Sequence, residues 1–230
     1  TAAAAALINV TKSNKLSLFV ETSDDTLPVA PPQFSAKQLR SYSCHGRCDP
    51  SPFLTAVLPK LVSLTSLDLS FVRLGDTGGV MLSSGIAPTL CHLNLQGTDL
   101  TGGTAAGHLA FSKLMGRCAN LLTLNVSDCG WDEDHFMLVA NALAEHPRLQ
   151  ELRARGAVVQ GVHYHNLSSV CLSILLCAVS LCETLQHLDV SVNALHCEHV
   201  PALSVLACST IVATDGALGR SWGGGEPTVS

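Results

Sequence analysis

The chain predicts an α/β solenoid: a stack of strand–helix units with a parallel sheet along one side and helices along the other. Two observations carry that expectation. The first is a short apolar pattern that returns five times, as Leu64-Thr-Ser-Leu67-Asp-Leu69, Leu90-Cys-His-Leu93-Asn-Leu95, Leu121-Leu-Thr-Leu124-Asn-Val126, Leu149-Gln-Glu-Leu152-Arg-Ala154 and Leu185-Gln-His-Leu188-Asp-Val190. Their starts lie 26, 31, 28 and 36 residues apart, spacings typical of stacked structural repeats. The second is what fills the gaps. Each has the length and apolar periodicity for a helix, at about 76–86, 103–117, 132–145, 164–183 and 198–208.

Taken in order, residues 1–35 form an N-terminal strand or cap and a linker. Leu16-Ser-Leu-Phe-Val20 alternates like a strand, and Leu27-Pro-Val-Ala-Pro-Pro is biased towards extended backbone. The solenoid occupies residues 36–215, in about seven units. Weaker copies at Ala36-Lys-Gln-Leu39-Arg-Ser41 and Cys208-Ser-Thr-Ile211-Val-Ala213 stand where terminal repeats cap such a stack. The third gap helix starts with Asp132-Glu-Asp, carboxylates at the positive end of the helix dipole, and stops before Pro147. Residues 216–230, rich in glycine, read as a flexible tail.

This pattern resembles the leucine-rich-repeat superfamily, and within it the longer ribonuclease-inhibitor-like repeats that Ran GTPase-activating proteins also use. The resemblance covers residues 36–215. It implies a curved sheet whose concave face is the binding surface. It also implies Asn or Cys at the ninth position of each unit, where backbone groups need partners as the chain leaves the strand. That position holds Cys44, Val72, Thr98, Cys129, Ala157 and Asn193, so only half match.

In each unit the leucines point inward and the residues between them outward. One outward row reads Arg40, Asp68, Asn94, Asn125, Arg153 and Asp189, and the row before it reads Gln38, Ser66, His92, Thr123, Glu151 and His187. From these the expected partner-binding residues are Arg40, Asp68, His92, Asn94, Asn125, Glu151, Arg153, Arg155, His187 and Asp189. Glu151, Arg153 and Arg155 place three charges on one strand of a charge-poor chain, and Arg forks suit carboxylate or phosphate groups. The longest unit also carries extra residues after its strand, 156–166, so His163, Tyr164 and His165 are expected in a binding loop.

Composition narrows the function. Hydrophobic residues make up 47% of the chain and charged residues 13%, a surface poor in charge that implies a covering partner. Residues 167–182 contain no charge at all. The helix there is therefore expected to be covered on its outer side, with Leu172, Leu176 and Val179 as partner-binding residues. A membrane span competes with that reading, but the run is shorter than the roughly 20 residues a span needs. A net charge of −5 argues against general nucleic-acid binding. Ten scattered cysteines read as reduced thiols, hence an intracellular protein, cytoplasmic or organellar. Of the sequons at Asn9, Asn125 and Asn166, the middle one lies in an expected strand. The chain opens on Thr1 with no basic leader segment, so no signal peptide is visible.

Enzyme motifs of the phosphate-cradle, nucleophile-elbow and zinc-protease kinds are missing. Gly102-Gly-Thr-Ala-Ala-Gly107 lacks a following Lys and reads as a helix start. Cys44-His45-x-x-Cys48 and His196-Cys197-Glu198-His199 stand five strand spacings apart, roughly 24 Å, too far to share a metal. The expectation is a non-catalytic protein–protein interaction module without cofactor or metal. Its partners are several proteins of one complex, which it serves as a scaffold or structural subunit. The alternatives are a regulator of a small GTPase and the substrate-recognition arm of a ubiquitin ligase. No F-box helix set precedes the repeats.

Overall fold

The computed structural model describes residues 6–11, 15–20, 39–45, 51–98, 105–129, 131, 136–159, 162–164, 167–193, 199, 201, 203 and 210–212. An antiparallel hairpin, β1 (Ala6–Thr11) and β2 (Lys15–Val20), opens the chain. Strand β3 (Ser41–His45) follows, then helix α1 (Ser51–Ala56) with a 3-10 turn at Leu58–Lys60. Strands and helices then alternate: β4 (Ser66–Asp68), α2 (Gly75–Gly85), β5 (His92–Asn94), α3 (Ala105–Arg117), β6 (Thr123–Asn125), α4 (Phe136–Ala144) and β7 (Glu151–Arg153). A second hairpin, β8 (Ala157–Val159) with β9 (Val162–Tyr164), precedes α5 (Ser169–Val179), β10 (His187–Asp189) and β11 (Thr210–Val212).

Nine strands form one sheet in the order β1-β2-β3-β4-β5-β6-β7-β10-β11, parallel from β2 onward. Consecutive helices α1 to α5 pack side by side in the same order. Sheet and helices advancing together in chain order define a solenoid, and the expected α/β leucine-rich-repeat architecture is the one observed. Its register is set by the leucines: Leu67, Leu93, Leu124, Leu152, Leu188 and Ile211 pair in turn across the sheet. Of these, Leu67, Leu93, Leu124, Leu152 and Leu188 are at most 2% exposed. One continuous core runs beneath the sheet, joined from the helix side by Phe111, Leu114, Phe136, Val139, Leu143, Leu172 and Leu175. A stack of this kind is stabilised repeat against repeat, so no unit keeps a core of its own.

The first repeat sits three residues later than its sequence pattern suggests. Tyr42, not Leu39, pairs with Leu67, and Ser43 pairs with Asp68. Leu39 is buried at the start of the unit, as Leu64 is in the next. The Arg40 carbonyl accepts from the amides of Thr65 and Ser66, as the Thr65 carbonyl does from Cys91 and His92 one repeat on. Arg40 is thus the counterpart of Thr65 and lies outside the row of Asp68. A tyrosine in a leucine position disguised the register.

Two further expectations change. The inserted segment at 156–166 is in part a paired hairpin and not simply a loop, with Val158 opposite His163. Tyr164 lies in β9, so the following helix does not start there. Helix α5 starts at Ser169 because the Ser168 hydroxyl accepts from the Cys171 amide at 3.2 Å, an N-cap that ends the apolar run's freedom to extend the helix backwards. Most of the helix expected at 198–208 falls outside the described residues. No helix among them is long and apolar enough to cross a membrane.

Candidate sheet-face binding site

The outward side chains of β4 to β7 line an open depression of about 230 Å³, formed by Ser66, Asp68, His92, Asn94, Thr123, Asn125, Glu151 and Arg153 over the leucine floor. It brings together six of the expected binding residues: Asp68, His92, Asn94, Asn125, Glu151 and Arg153. His187 and Asp189 follow on β10, which pairs with β7. Arg155 lies just past β7, exposed, with its Nε 3.6 Å from Asp189 Oδ2.

Most of one outward row has a local task that the sequence did not reveal. The Asp68 Oδ1 accepts from the Ser70 amide at 2.9 Å, Asn94 Oδ1 from Gln96 at 3.1 Å, Asn125 Oδ1 from Ser127 at 3.1 Å and Asp189 Oδ1 from Ser191 at 3.0 Å. Each is an Asx turn that caps the backbone as it leaves the strand. Asp189 also accepts from the Ser191 hydroxyl at 2.6 Å and is almost fully buried. Each of these side chains thus spends an acceptor on the fold, and the Asn125 amide group also donates to Gln96 Oε1 at 3.3 Å.

Strand β7 breaks the rule. Its row residue is Arg153, which has five donors and no acceptor and cannot make the turn. The amide that an Asx would have capped, that of Arg155, donates instead to the Ser127 hydroxyl of the preceding repeat at 3.0 Å. Arg153 is thereby released from the turn. Its side chain is 51% exposed, and both Nε and Nη2 lie 2.6 Å from Glu151 Oε1 on the same strand. On the neighbouring strands His92 Nδ1 and Thr123 Oγ1 meet at 2.9 Å, a cross-strand pair in an exposed position.

The ninth position solves its hydrogen-bonding problem in different ways. The Thr98 hydroxyl donates to the Leu95 carbonyl at 2.7 Å, and the Cys129 thiol reaches the same carbonyl at 3.1 Å. Burial pushes the Cys129 thiol up to about 12, so it acts as a neutral donor. Asn193, fully buried, donates to the Ala154 and Val190 carbonyls at 2.7 and 2.9 Å and accepts from the Leu167 amide at 2.9 Å. That last bond ties the chain leaving the β8–β9 insertion to the repeat of β10. Val72 offers no polar side chain and keeps only the backbone bond from its amide to the Leu69 carbonyl, which Thr98 also makes to that of Leu95.

The remaining expected residues are placed as follows. Leu172, Leu176 and Val179 are 0%, 0% and 2% exposed. They belong to the core and present nothing to a partner, which corrects the expectation. Helix α5 has an outer side after all, made of Val170, Cys177 and the following Leu181. Its small Ser, Cys and Ala residues hid the stripe from the sequence pattern. His163 and Tyr164 are placed in β9 by backbone alone, and His165 lies outside the described residues. Among the described residues no group of three His, Cys, Asp or Glu could hold a metal. The side chains of Cys44, His45, Cys48 and 196–198 lie outside that description. Six cysteines, Cys91, Cys118, Cys129, Cys171, Cys177 and Cys182, are free thiols.

The parallel register of regularly spaced leucine units, backed by helices in the same order, defines the class: a leucine-rich-repeat α/β solenoid. No family model matches the chain, and no curated relative does either. Among solved structures it is similar to the leucine-rich repeat-containing protein LegL7 from Legionella pneumophila, with 16% identity, a TM-score of 0.43, and 85% of this chain and 74% of that one covered. The assignment of fold rests on the register and spacing within this chain.

Proposed function

We propose that this chain is a non-catalytic protein–protein interaction module, a structural or scaffold subunit of a larger intracellular assembly, and that it meets a partner through the sheet face around β7. The observation that carries this reading is the released Arg153. In four other repeats the corresponding residue caps its own turn, whereas here the cap is taken over by Ser127 and a guanidinium is presented on an open face. A rigid strand holding Arg153 beside Glu151, with Arg155 and Asp189 next to it, forms an alternating charge pattern suited to a polar protein surface. The surrounding depression is shallow and lined mainly by donors and acceptors, as recognition of another chain requires.

The test is affinity purification of the tagged chain and of its Arg153→Glu, Arg155→Glu variant from the source cells. The wild type is expected to co-elute with several proteins at stoichiometric yield. The variant is expected to lose them by about tenfold or more, the scale of a broken interfacial charge pair, with an unchanged circular-dichroism spectrum. Undiminished co-elution of every partner with the variant overturns the β7 reading, and co-elution of none with the wild type overturns the scaffold reading.

A further inference from the structure

We infer that the helix side of the solenoid is a second interaction surface and that its occupant is a second copy of this chain, seated α3 against α4 about a two-fold axis. That surface lies opposite the sheet face and is independent of the reading given to β7.

Exposed apolar side chains recur on every helix from α2 to α5. Val80, Leu109, Met137, Leu138 and Val170 are 49%, 45%, 51%, 36% and 55% exposed, and Leu181, just past α5, is 70% exposed. One such residue is ordinary on any surface. A row of them across helices that pack side by side is an apolar patch of the kind that marks an interface. Little charge interrupts it. Among the described side chains of these four helices, only Lys113 and Arg117 on α3 are acidic or basic chains of the Asp, Glu, Lys or Arg type.

Position along the helices selects the occupant. On α3, Leu109, Lys113 and Arg117 follow one another at four-residue steps, as do Met137, Asn141 and Glu145 on and just past α4. Residues at that spacing share one side of a helix. The Glu145 amide donates to the Asn141 carbonyl at 3.1 Å, which carries the helical rise past the end of α4. All six side chains are exposed. The two stripes are also level. Leu109 and Met137 each stand twelve residues before the first leucine of the next unit, Leu121 and Leu149 respectively; Lys113 and Asn141 stand eight before it, and Arg117 and Glu145 four. Those two leucines are both 0% exposed, and the strands they lead into, β6 and β7, are paired neighbours.

One stripe is thus apolar and then cationic, the other apolar and then anionic. Within the chain they do not satisfy each other. Among the described residues Lys113, Arg117 and Glu145 belong to no ion pair, and Arg117 reaches away from α4, its Nη2 3.4 Å from the Ile86 carbonyl at the end of α2. A two-fold axis parallel to the helices and between α3 and α4 lays α3 of each copy on α4 of the other at the same level. Leu109 then meets Met137, Lys113 meets Asn141 and Arg117 meets Glu145, each twice over, as an isologous contact requires. The same operation between α4 and α5 fails, because the residue level with Glu145 there is Leu181, four before Leu185. Opposite charges at one end and apolar side chains at the other fix the register of the contact. Pairing through the helices leaves the two sheet faces outward, back to back.

The contact takes two helices from each copy, the small end of specific interfaces, so association over about 1–100 µM is expected. Sedimentation equilibrium of the full chain over that range should show a rise from one chain mass towards two. Lys113→Glu with Arg117→Glu in one variant, and Glu145→Lys in another, should each stay at one chain mass, because each sets like charges face to face. An equimolar mixture of the two variants should regain the double mass, since every facing pair is again of opposite sign. Leu109→Ser with Met137→Ser should weaken association about tenfold or more. All three variants should keep the wild-type circular-dichroism spectrum, as the substituted positions are exposed. A wild type that keeps one chain mass at about 100 µM, charge variants that pair as well as wild type, or a mixture that does not recover overturns the inference. So does a single-mass wild type whose Leu109→Ser, Met137→Ser variant loses a protein that co-elutes from cells, for the face then belongs to a different partner.

Discussion

The repeats of β6 and β7 are neighbours in the same sheet, yet they leave their strands differently. At β6, Asn125 caps the Ser127 amide, Asp128 takes the left-handed turn and Cys129 donates to the Leu95 carbonyl. At β7, Arg153 makes no such cap, and although the Gly156 amide donates to the Ser191 carbonyl as the Asp128 amide does to that of Arg155, the chain then passes into the β8–β9 hairpin. Ser127 serves both repeats: its amide is capped by Asn125, and its hydroxyl caps Arg155. A regular repeat thus supplies the hydrogen bond that allows its irregular neighbour to present a charge. Regularity stabilises this fold, and the departure from it marks where binding is expected.

The largest effect should come from the feature both repeats share. Leu93 and Leu124 pair across β5 and β6 and are 2% and 1% exposed. Replacing both with Asp buries two unpaired charges, at roughly 3 kcal/mol or more each. Several repeats should unfold together. Circular dichroism and protease resistance check this, and wild-type values would mean that the core does not run through these strands.

A smaller effect separates the two repeats. Ser127→Ala removes the partner of the Arg155 amide and should cost about 1 kcal/mol in urea unfolding. Adding Arg153→Asn to Ser127→Ala should recover about half or more of it, because an Asx side chain can again cap its own turn. An additive pair would show that the two caps do not substitute for one another.

The smallest effect concerns His146, where the chain turns from α4 towards β7. Its Nε2 donates to the Cys118 carbonyl at 3.0 Å and its Nδ1 accepts from the Arg148 amide at 3.4 Å, an arrangement only the neutral ring can make. Burial accordingly holds its pKa below the ordinary 6.5. As pH falls through about 6.5 the unfolded chain takes up a proton that the folded one refuses, so this contribution is present above that pH and is lost below it. The urea midpoint of the wild type should therefore fall more between about pH 7.5 and pH 5.5 than that of His146→Gln. Equal falls would remove His146 from the account.

What the sequence revealed, and what it hid, follows from how each feature is encoded. The five leucine units place Leu67 through Leu188 in the observed register because a two-residue alternation admits no slip without exposing the core. The final unit at Ile211 was legible for the same reason. At the first unit Tyr42 replaced a leucine and shifted the apparent frame by three, carrying Arg40 into the wrong row. The start of α5 was hidden because one serine, Ser168, ends an otherwise featureless apolar run. The outward rows were readable as positions but not as tasks: nothing in the pattern distinguishes an Asn94 that caps its turn from an Arg153 that does not, except the change of residue type itself. Ser127 left no sign, since its role depends on where a neighbouring strand lacks a cap.

Arg153→Asn offers the most direct test of the central claim, that β7 forgoes its own cap to present Arg153 to a partner. The substitution restores the Asx acceptor found at Asp68, Asn94, Asn125 and Asp189 and removes the guanidinium. The measurement is the yield of co-eluting proteins with Arg153→Asn relative to wild type, at matched urea stability. A folded protein at least as stable as wild type, within about 0.5 kcal/mol, that has lost most of its partners is the predicted result. A variant that retains every partner at stoichiometric yield would contradict the account.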